Sequence, residues 1–179
     1  MNYTELSKEI SYILRHNPQE YGLTLDKQGW LDLEDLNSAL KVQEQYRHLE
    51  TADIVSMVLH ATKKRHEIHN GRIRALYGHT LQERIEKEPT QPPEILFHGT
   101  SRKSAENIMT EGLLSLRRQY VHLSQDRETA NRVGKRKDKT PVIFVIDAKH
   151  AWSAGIHFYL GNENIWLSDS IPPEFIRKA

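Results

Sequence analysis

The chain contains no cysteine in its 179 residues, so neither a disulfide nor a thiolate metal site can contribute to its stability or chemistry. No apolar run approaches the roughly 20 residues of a membrane span. The opening MNYTELSKEI is too polar for a signal peptide, so a soluble, cytoplasmic protein is expected. An excess of charge is missing as well: 25 lysines and arginines face 24 acids, for a net charge of +1. No uniform positive field is therefore available to hold a long polyanion by counterion release, and any such affinity has to come from a local cluster of arginines. Neither a P-loop nor a GxGxxG string occurs, which removes ATP chemistry and a Rossmann cofactor site. Histidine is the one metal ligand in surplus, with 10 residues. His60, His66 and His69 cluster in sequence, but on a strand His66 and His69 face opposite sides, and no HExxH accompanies them. No metal site is expected.

What is present is ordinary globular composition, 37% hydrophobic and 27% charged, enough for a packed core. Leu6, Ile10, Ile13 and Leu14 recur at helical spacing after Asn2 and Glu5, a cap and its capping-box partner, and Pro18 stops the segment. Leu33, Leu36 and Leu40 after Asp32 predict a second helix, and Ile54, Val55, Val58 and Leu59 after Thr51 a third. The period then changes. His66 to Ile68 lead into Asn70-Gly71, the dipeptide favoured in type I′ turns, and Arg72 to Ala75 can pair back as the second strand of a hairpin. Three helices and a hairpin resemble a winged helix.

From Leu81 to Pro93 the chain is charged and ends in Pro89, Pro92 and Pro93, which places a boundary there and divides it into 1–88 and 89–179. Beyond it, Ile95 to His98, Val121 to Leu123, Val142 to Ile146, Ile156 to Leu160 and Ile165 to Leu167 read as strands. Ser104 to Glu111, closed by Gly112, and Asp126 to Val133 read as helices. The fold class is α+β, with a strand-rich second half.

Arg15-His16-Asn17-Pro18 lies where the first helix ends, so its charged side chains project from an end. Taken alone, it is equally an arginine and a histidine satisfying the last carbonyls. Lys63-Lys64-Arg65 alone is equally a solvated charge run. His98-Gly99-Thr100 follows a strand directly. Its glycine would let a ligand approach the backbone while its neighbours supply a ring nitrogen and a hydroxyl, although a plain turn has the same composition. His122 in VHLS could be a hydrogen-bonded core histidine. The residues by themselves lead to a helical module with exposed arginines joined to a sheet module, and to a phosphorylated ligand.

Read in order, the strings SYILRHNP, KKRHEI, GRIRALYGH, FHGT, YVHLS, VGKRKDKTPVIFVIDA and GIHFYLGNENIWLSDSIPPEFI resemble the RNA 2′-phosphotransferase family of the bacterial KptA type, over nearly the whole chain. The resemblance implies an N-terminal winged-helix RNA-binding lobe and a C-terminal ADP-ribosyltransferase-like, strand-rich lobe that binds NAD as a consumed co-substrate. It places Arg15, His16, Arg65 and Arg136 on the family's essential quartet, and His98, Gly99, Thr100, Arg118, His122 and Ser124 on its NAD-binding strings. The implied activity is removal of an internal 2′-phosphate from RNA, of the tRNA splice-junction type. It runs through a 2′-phospho-ADP-ribosyl RNA intermediate to 2′-hydroxyl RNA, nicotinamide and ADP-ribose 1″,2″-cyclic phosphate.

Two departures stand out. His66 takes the place of the family's usual aromatic after Arg65, which implies changed packing at the RNA edge. Lys137-Asp138-Lys139 replaces small residues after Arg136, which implies a more polar loop. Ile165 falls where many ADP-ribosyltransferases carry a glutamate. An RNA 2′-phosphate is already an anionic nucleophile that needs no general base, and a carboxylate beside it would repel it. Two rival readings remain at this level: ADP-ribosylation of terminal phosphates on RNA or DNA without a second step, and a non-catalytic module that binds phosphorylated RNA.

Overall fold

The computed structural model describes residues 2–179 and shows a mixed α/β protein with two antiparallel sheets and, among the described residues, six α-helices. The chain divides into two compact units, Met1–Glu86 and Lys87–Ala179. No helix among the described residues is long and apolar enough to cross a membrane.

In the first unit, α1 (Tyr3–Arg15) begins where the Asn2 side chain accepts hydrogen bonds from the Thr4 and Glu5 amides. Glu5 binds Lys8 through its carboxylate at 2.8 Å. Leu6, Ile10, Ile13 and Leu14 are fully buried, each stabilising the unit by about 1.5–3 kcal/mol relative to exposure. A two-residue strand, β1 (Leu31–Asp32), runs into α2 (Leu33–Lys41), whose first amides bond to the Asp32 carboxylate. Helix α3 (Thr51–Leu59) is capped by Glu50 in a box with Asp53, not by Thr51. Its inward face is Ile54 and Met57, whereas Leu59, expected inside, is exposed.

The hairpin of β2 (His66–His69) and β3 (Arg72–Ala75) turns through Asn70 and Gly71, both at positive φ (48° and 71°), as a type I′ turn demands. β1 pairs with the outer side of β3, giving a three-stranded sheet in the order β1-β3-β2. This extra strand was too short to show periodicity.

The second unit is one six-stranded antiparallel sheet, built from β4 (Ile95–Thr100), β5 (Val121–Ser124), β6 (Val142–Asp147), β7 (Phe158–Asn162), β8 (Ile165–Ser168) and β9 (Ile176–Lys178), in the order β7-β8-β5-β4-β6-β9. Helices α4 (Arg102–Glu111), α5 (Arg127–Gly134) and α6 (Ala148–Ser153) accompany it. Leu96, Phe144, Ile146 and Phe158 are fully buried at its centre.

One feature of this sheet positions chemistry. β4 pairs with β6 along its whole length, from Ile95↔Asp147 to Thr100↔Val142, but its ladder with β5 consists of Phe97↔Ser124 alone. The sheet therefore opens between β4 and β5 on either side of that pair.

Candidate active site

Arg15 is the last residue of α1, His16 caps that helix, and Arg65 immediately precedes β2. All three line one concavity of about 650 Å³ in the first unit. Three residues beyond β3 hold Arg15 and His16 there. The Thr80 amide donates to the Arg15 carbonyl at 2.9 Å. The Thr80 hydroxyl lies 2.8 Å from His16 Nδ1. The Arg15 guanidinium carbon sits 5.1 Å from the centroid of the Tyr77 ring, in cation–π range. Gly78 lets the chain turn between them at φ 95°.

Below the arginines lies His66, buried at 5% exposure, with Nε2 2.9 Å from Ser11 Oγ. Burial, reinforced by the positive charges of Arg15 and Arg65, pushes its imidazole down to about 3, so it is neutral at physiological pH. The departure from the family's aromatic is thus a packing residue beneath the two arginines. Two arginines and a histidine on one concavity can grip a doubly charged oxyanion, each charge-assisted bond contributing about 1.5–3 kcal/mol.

In the second unit, His98, Gly99 and Thr100 lie within β4, which continues past the expected end at His98. Glycine at 99 has a structural reason of its own: a Cβ there would stand 1.9 Å from the Ala130 carbonyl oxygen, so its absence admits the close approach of helix α5. Where the sheet opens, His98 Nδ1–H donates to the His122 carbonyl at 2.9 Å, and His122 Nδ1–H donates to the Tyr120 carbonyl at 3.0 Å.

The first of these bonds fixes the His98 tautomer and leaves Nε2 as an acceptor. Burial lowers the proton affinity of His98, the His122 carbonyl partly opposes this, and the charges of Lys137 and Arg118 lower it further. A neutral acceptor with cations near it suits the ribose hydroxyls and pyrophosphate of a dinucleotide, so this residue set fits NAD. Thr100 and Ser124 are buried at 6% and 4%, while Arg118 is exposed on a turn whose amide bonds to Ser115.

Arg136 is exposed in the turn after α5. The loop that follows it, unusual in sequence, is anchored. Asp138 receives the Arg102 guanidinium through both oxygens, at 3.0 and 3.1 Å, and also the Arg102 and Thr140 amides at 3.0 Å. These donors hold its carboxyl below the usual carboxylate range. Lys137 and Lys139 remain exposed. Arg15, His16 and Arg65 are thus brought together, and His98 and His122 likewise, while Arg136 belongs to the second unit.

Sequence reasoning gave no role to Ser11, Tyr77, Gly78 or Thr80. The string GRIRALYGH covers two of them, but nothing local shows that it folds back on a helix end 64 residues away.

Comparison with known proteins first defines a class, transferases that act on RNA phosphate. A family model described as RNA 2′-phosphotransferase, Tpt1/KptA family, matches residues 2–170, and the chain belongs to this family. It is 51% identical over 177 residues to a probable RNA 2′-phosphotransferase of Acetivibrio thermocellus, covering 99% of this chain and 97% of that one. It is 49% identical over 174 residues to one from Bacillus thuringiensis subsp. konkukian, covering 97% and 94%. A third, from Pectobacterium atrosepticum, is 43% identical over 178 residues, covering 98% and 97%.

Proposed function

We propose that this transferase removes an internal 2′-phosphate from RNA in the cytoplasm and consumes NAD as it does so. The observation that carries the reading is the gathering of Arg15, His16 and Arg65 on one concavity whose lining, among the described residues, includes no carboxylate side chain. The three-helix unit with its hairpin is taken as a winged-helix, RNA-binding lobe, and the six-stranded unit as an ADP-ribosyltransferase-like, NAD-binding lobe. Supporting the second assignment is the gap in the sheet between β4 and β5, with the neutral His98 beside it.

When bound, NAD supplies an electrophilic sugar carbon with nicotinamide as its leaving group. The RNA 2′-phosphate, already anionic, attacks that carbon, nicotinamide leaves with the bonding pair, and 2′-phospho-ADP-ribosyl RNA forms. Attack by the ribose 2″-hydroxyl on the phosphodiester then expels the RNA 2′-oxygen, which takes up a proton. The products are 2′-hydroxyl RNA and ADP-ribose 1″,2″-cyclic phosphate. Arg15 and Arg65 hold the phosphate through both steps, and Arg136 is the remaining arginine of the quartet that the resemblance implies. His16, oriented by Thr80, manages the proton at the same group. His98, Gly99, Thr100, Arg118, His122 and Ser124 serve the dinucleotide, Gly99 by letting α5 close against β4.

Incubation with NAD and a 2′-phosphorylated oligonucleotide, followed by product analysis, tests this. Release of nicotinamide with conversion to 2′-hydroxyl RNA is expected. Nicotinamide release with label remaining on the RNA would point to an ADP-ribosyltransferase that stops at the first step, and binding without NAD consumption to a non-catalytic module.

A further inference from the structure

The concavity that holds Arg15, His16 and Arg65 is larger than a phosphate needs. It runs along α1 from the helix end at His16 back to Tyr3 and Thr4, the 13 residues from Tyr3 to Arg15, or about 18 Å at helical rise. Among the described residues the lining includes Lys8, Arg15, Lys63 and Arg65 but no aspartate or glutamate, in a chain that carries 24 acids and a net charge of only +1. Hydroxyl groups of Thr4, Ser7, Ser11 and Thr62 line it as well.

Two aromatic rings stand on it, and both are exposed: Tyr12 at 41% and Tyr3 at 38%. The Tyr12 ring is held in place. Its phenol donates to Glu20 at 2.9 Å, and its centroid lies 6.1 Å from that of His16. A fixed, open aromatic face one helical turn from the phosphate-gripping residues, followed by a lysine one turn further on, is the alternation of stacking platform and cation that binds single-stranded nucleic acid.

We infer that this groove is a subsite for the single-stranded RNA flanking the 2′-phosphate, with a neighbouring nucleobase stacked on Tyr12 and a backbone phosphate further along taken by Lys8. The inference rests on the reading that Arg15, His16 and Arg65 hold the 2′-phosphate. Lys8 spans about 10 Å of helix from Arg15, which suits a neighbouring phosphate and not the same one. It is at present paired with Glu5 at 2.8 Å, both side chains more than half exposed. Such surface pairs are weak, so exchange of Glu5 for a phosphate costs little. A duplex would bury its base faces against each other and gain nothing from Tyr12, so the subsite prefers an unpaired strand.

The test is the length advantage: the ratio of kcat/KM for a 2′-phosphorylated oligonucleotide of about ten nucleotides, within the span of single-strand sites, to that for a 2′-phosphorylated dinucleotide. It is accompanied by fluorescence anisotropy of the longer strand. Tyr12→Ala and Lys8→Glu should each cut the ratio about tenfold and weaken binding of the longer strand to match. Tyr12→Phe, which keeps the ring, should retain most of the advantage. Lys41→Glu, the same charge change on the exposed end of α2, should leave the ratio as in the wild type.

A wild-type ratio near one overturns the inference, as do a ratio unchanged in both groove variants and equal binding of a duplex. If the wild type turns over neither substrate while anisotropy still falls with Lys8→Glu and Tyr12→Ala, the groove stands and the 2′-phosphate reading falls.

Discussion

Ser11 Oγ and His66 Nε2 lie 2.9 Å apart and tie the middle of α1 to the first residue of β2. Ser11 is four residues before Arg15, on the same face of the helix, and His66 directly follows Arg65. One hydrogen bond thereby fixes the relative position of the two arginines from beneath.

Burial of that imidazole beside Arg15 and Arg65 gives stability a dependence on pH. His66 takes a proton near 6.5 when unfolded but only at about 3 when folded, so between those values the unfolded chain binds the extra proton. Its contribution is fully present above about pH 6.5 and is lost as pH falls towards 3, with a slope of up to about 1.4 kcal/mol per pH unit. Urea unfolding of the wild type and His66→Phe at several pH values between 7 and 4 should show a shallower decline in the variant. Parallel profiles would mean that His66 titrates freely.

Arg65→Ala should lower kcat on the order of a hundredfold or more, as loss of a transition-state donor typically does, with the fold intact by circular dichroism. Arg65 lies outside the hairpin's strands, and its carbonyl, which accepts from the Leu76 amide at 2.9 Å, survives the substitution. Near-wild-type activity would return the residue to the status of a solvated charge.

Unequal demands in the two proposed steps make a separate forecast. The phosphate loses charge as it bonds to the sugar carbon, so arginines mainly position it there. In the transesterification, charge builds on the equatorial oxygens, and arginines stabilise that arrangement selectively. Arg65→Ala and Arg136→Ala should therefore slow the second step more than the first, and 2′-phospho-ADP-ribosylated RNA should accumulate. A gel-resolved time course on labelled substrate measures this, and equal slowing with no intermediate band would contradict it.

Gly99→Ala brings a methyl group to within 1.9 Å of a backbone oxygen that cannot swing aside. Loss of at least about 1–3 kcal/mol is expected from overpacking, seen as a lowered urea midpoint. If the variant is as stable as the wild type, the close approach of α5 to β4 is not rigid.

Much of the fold was legible because its signals are local. The apolar spacing of α1, the Asp32 cap of α2 and the Asn70-Gly71 turn each lie within a few residues, and each formed as expected. β1, α6 and β9 were not foreseen. β1 and β9 have two and three residues, too few for a period to appear, and α6 is a six-residue helix. At the site, the arginines and histidines were legible as types in order along the chain, but their supports were not. Thr80 reaches His16 across 64 positions and Ser11 reaches His66 across 55, contacts made by the folded chain and by nothing in the local pattern. Gly99 marks a space that a missing side chain leaves, yet nothing local in the sequence says that a helix packs into it.

The contact at Gly99 also works as a gauge. α5 ends at Gly134, where an added Cβ would meet Pro141 at 2.6 Å and the Gly99 carbonyl carbon at 3.2 Å, so two glycines set how tightly the end of the helix seats on the strand that carries His98. Arg136 follows two residues later. The seat of the helix beside His98 is accordingly set by atoms that are absent, and a methyl group at either glycine would disturb it without touching a single charged group.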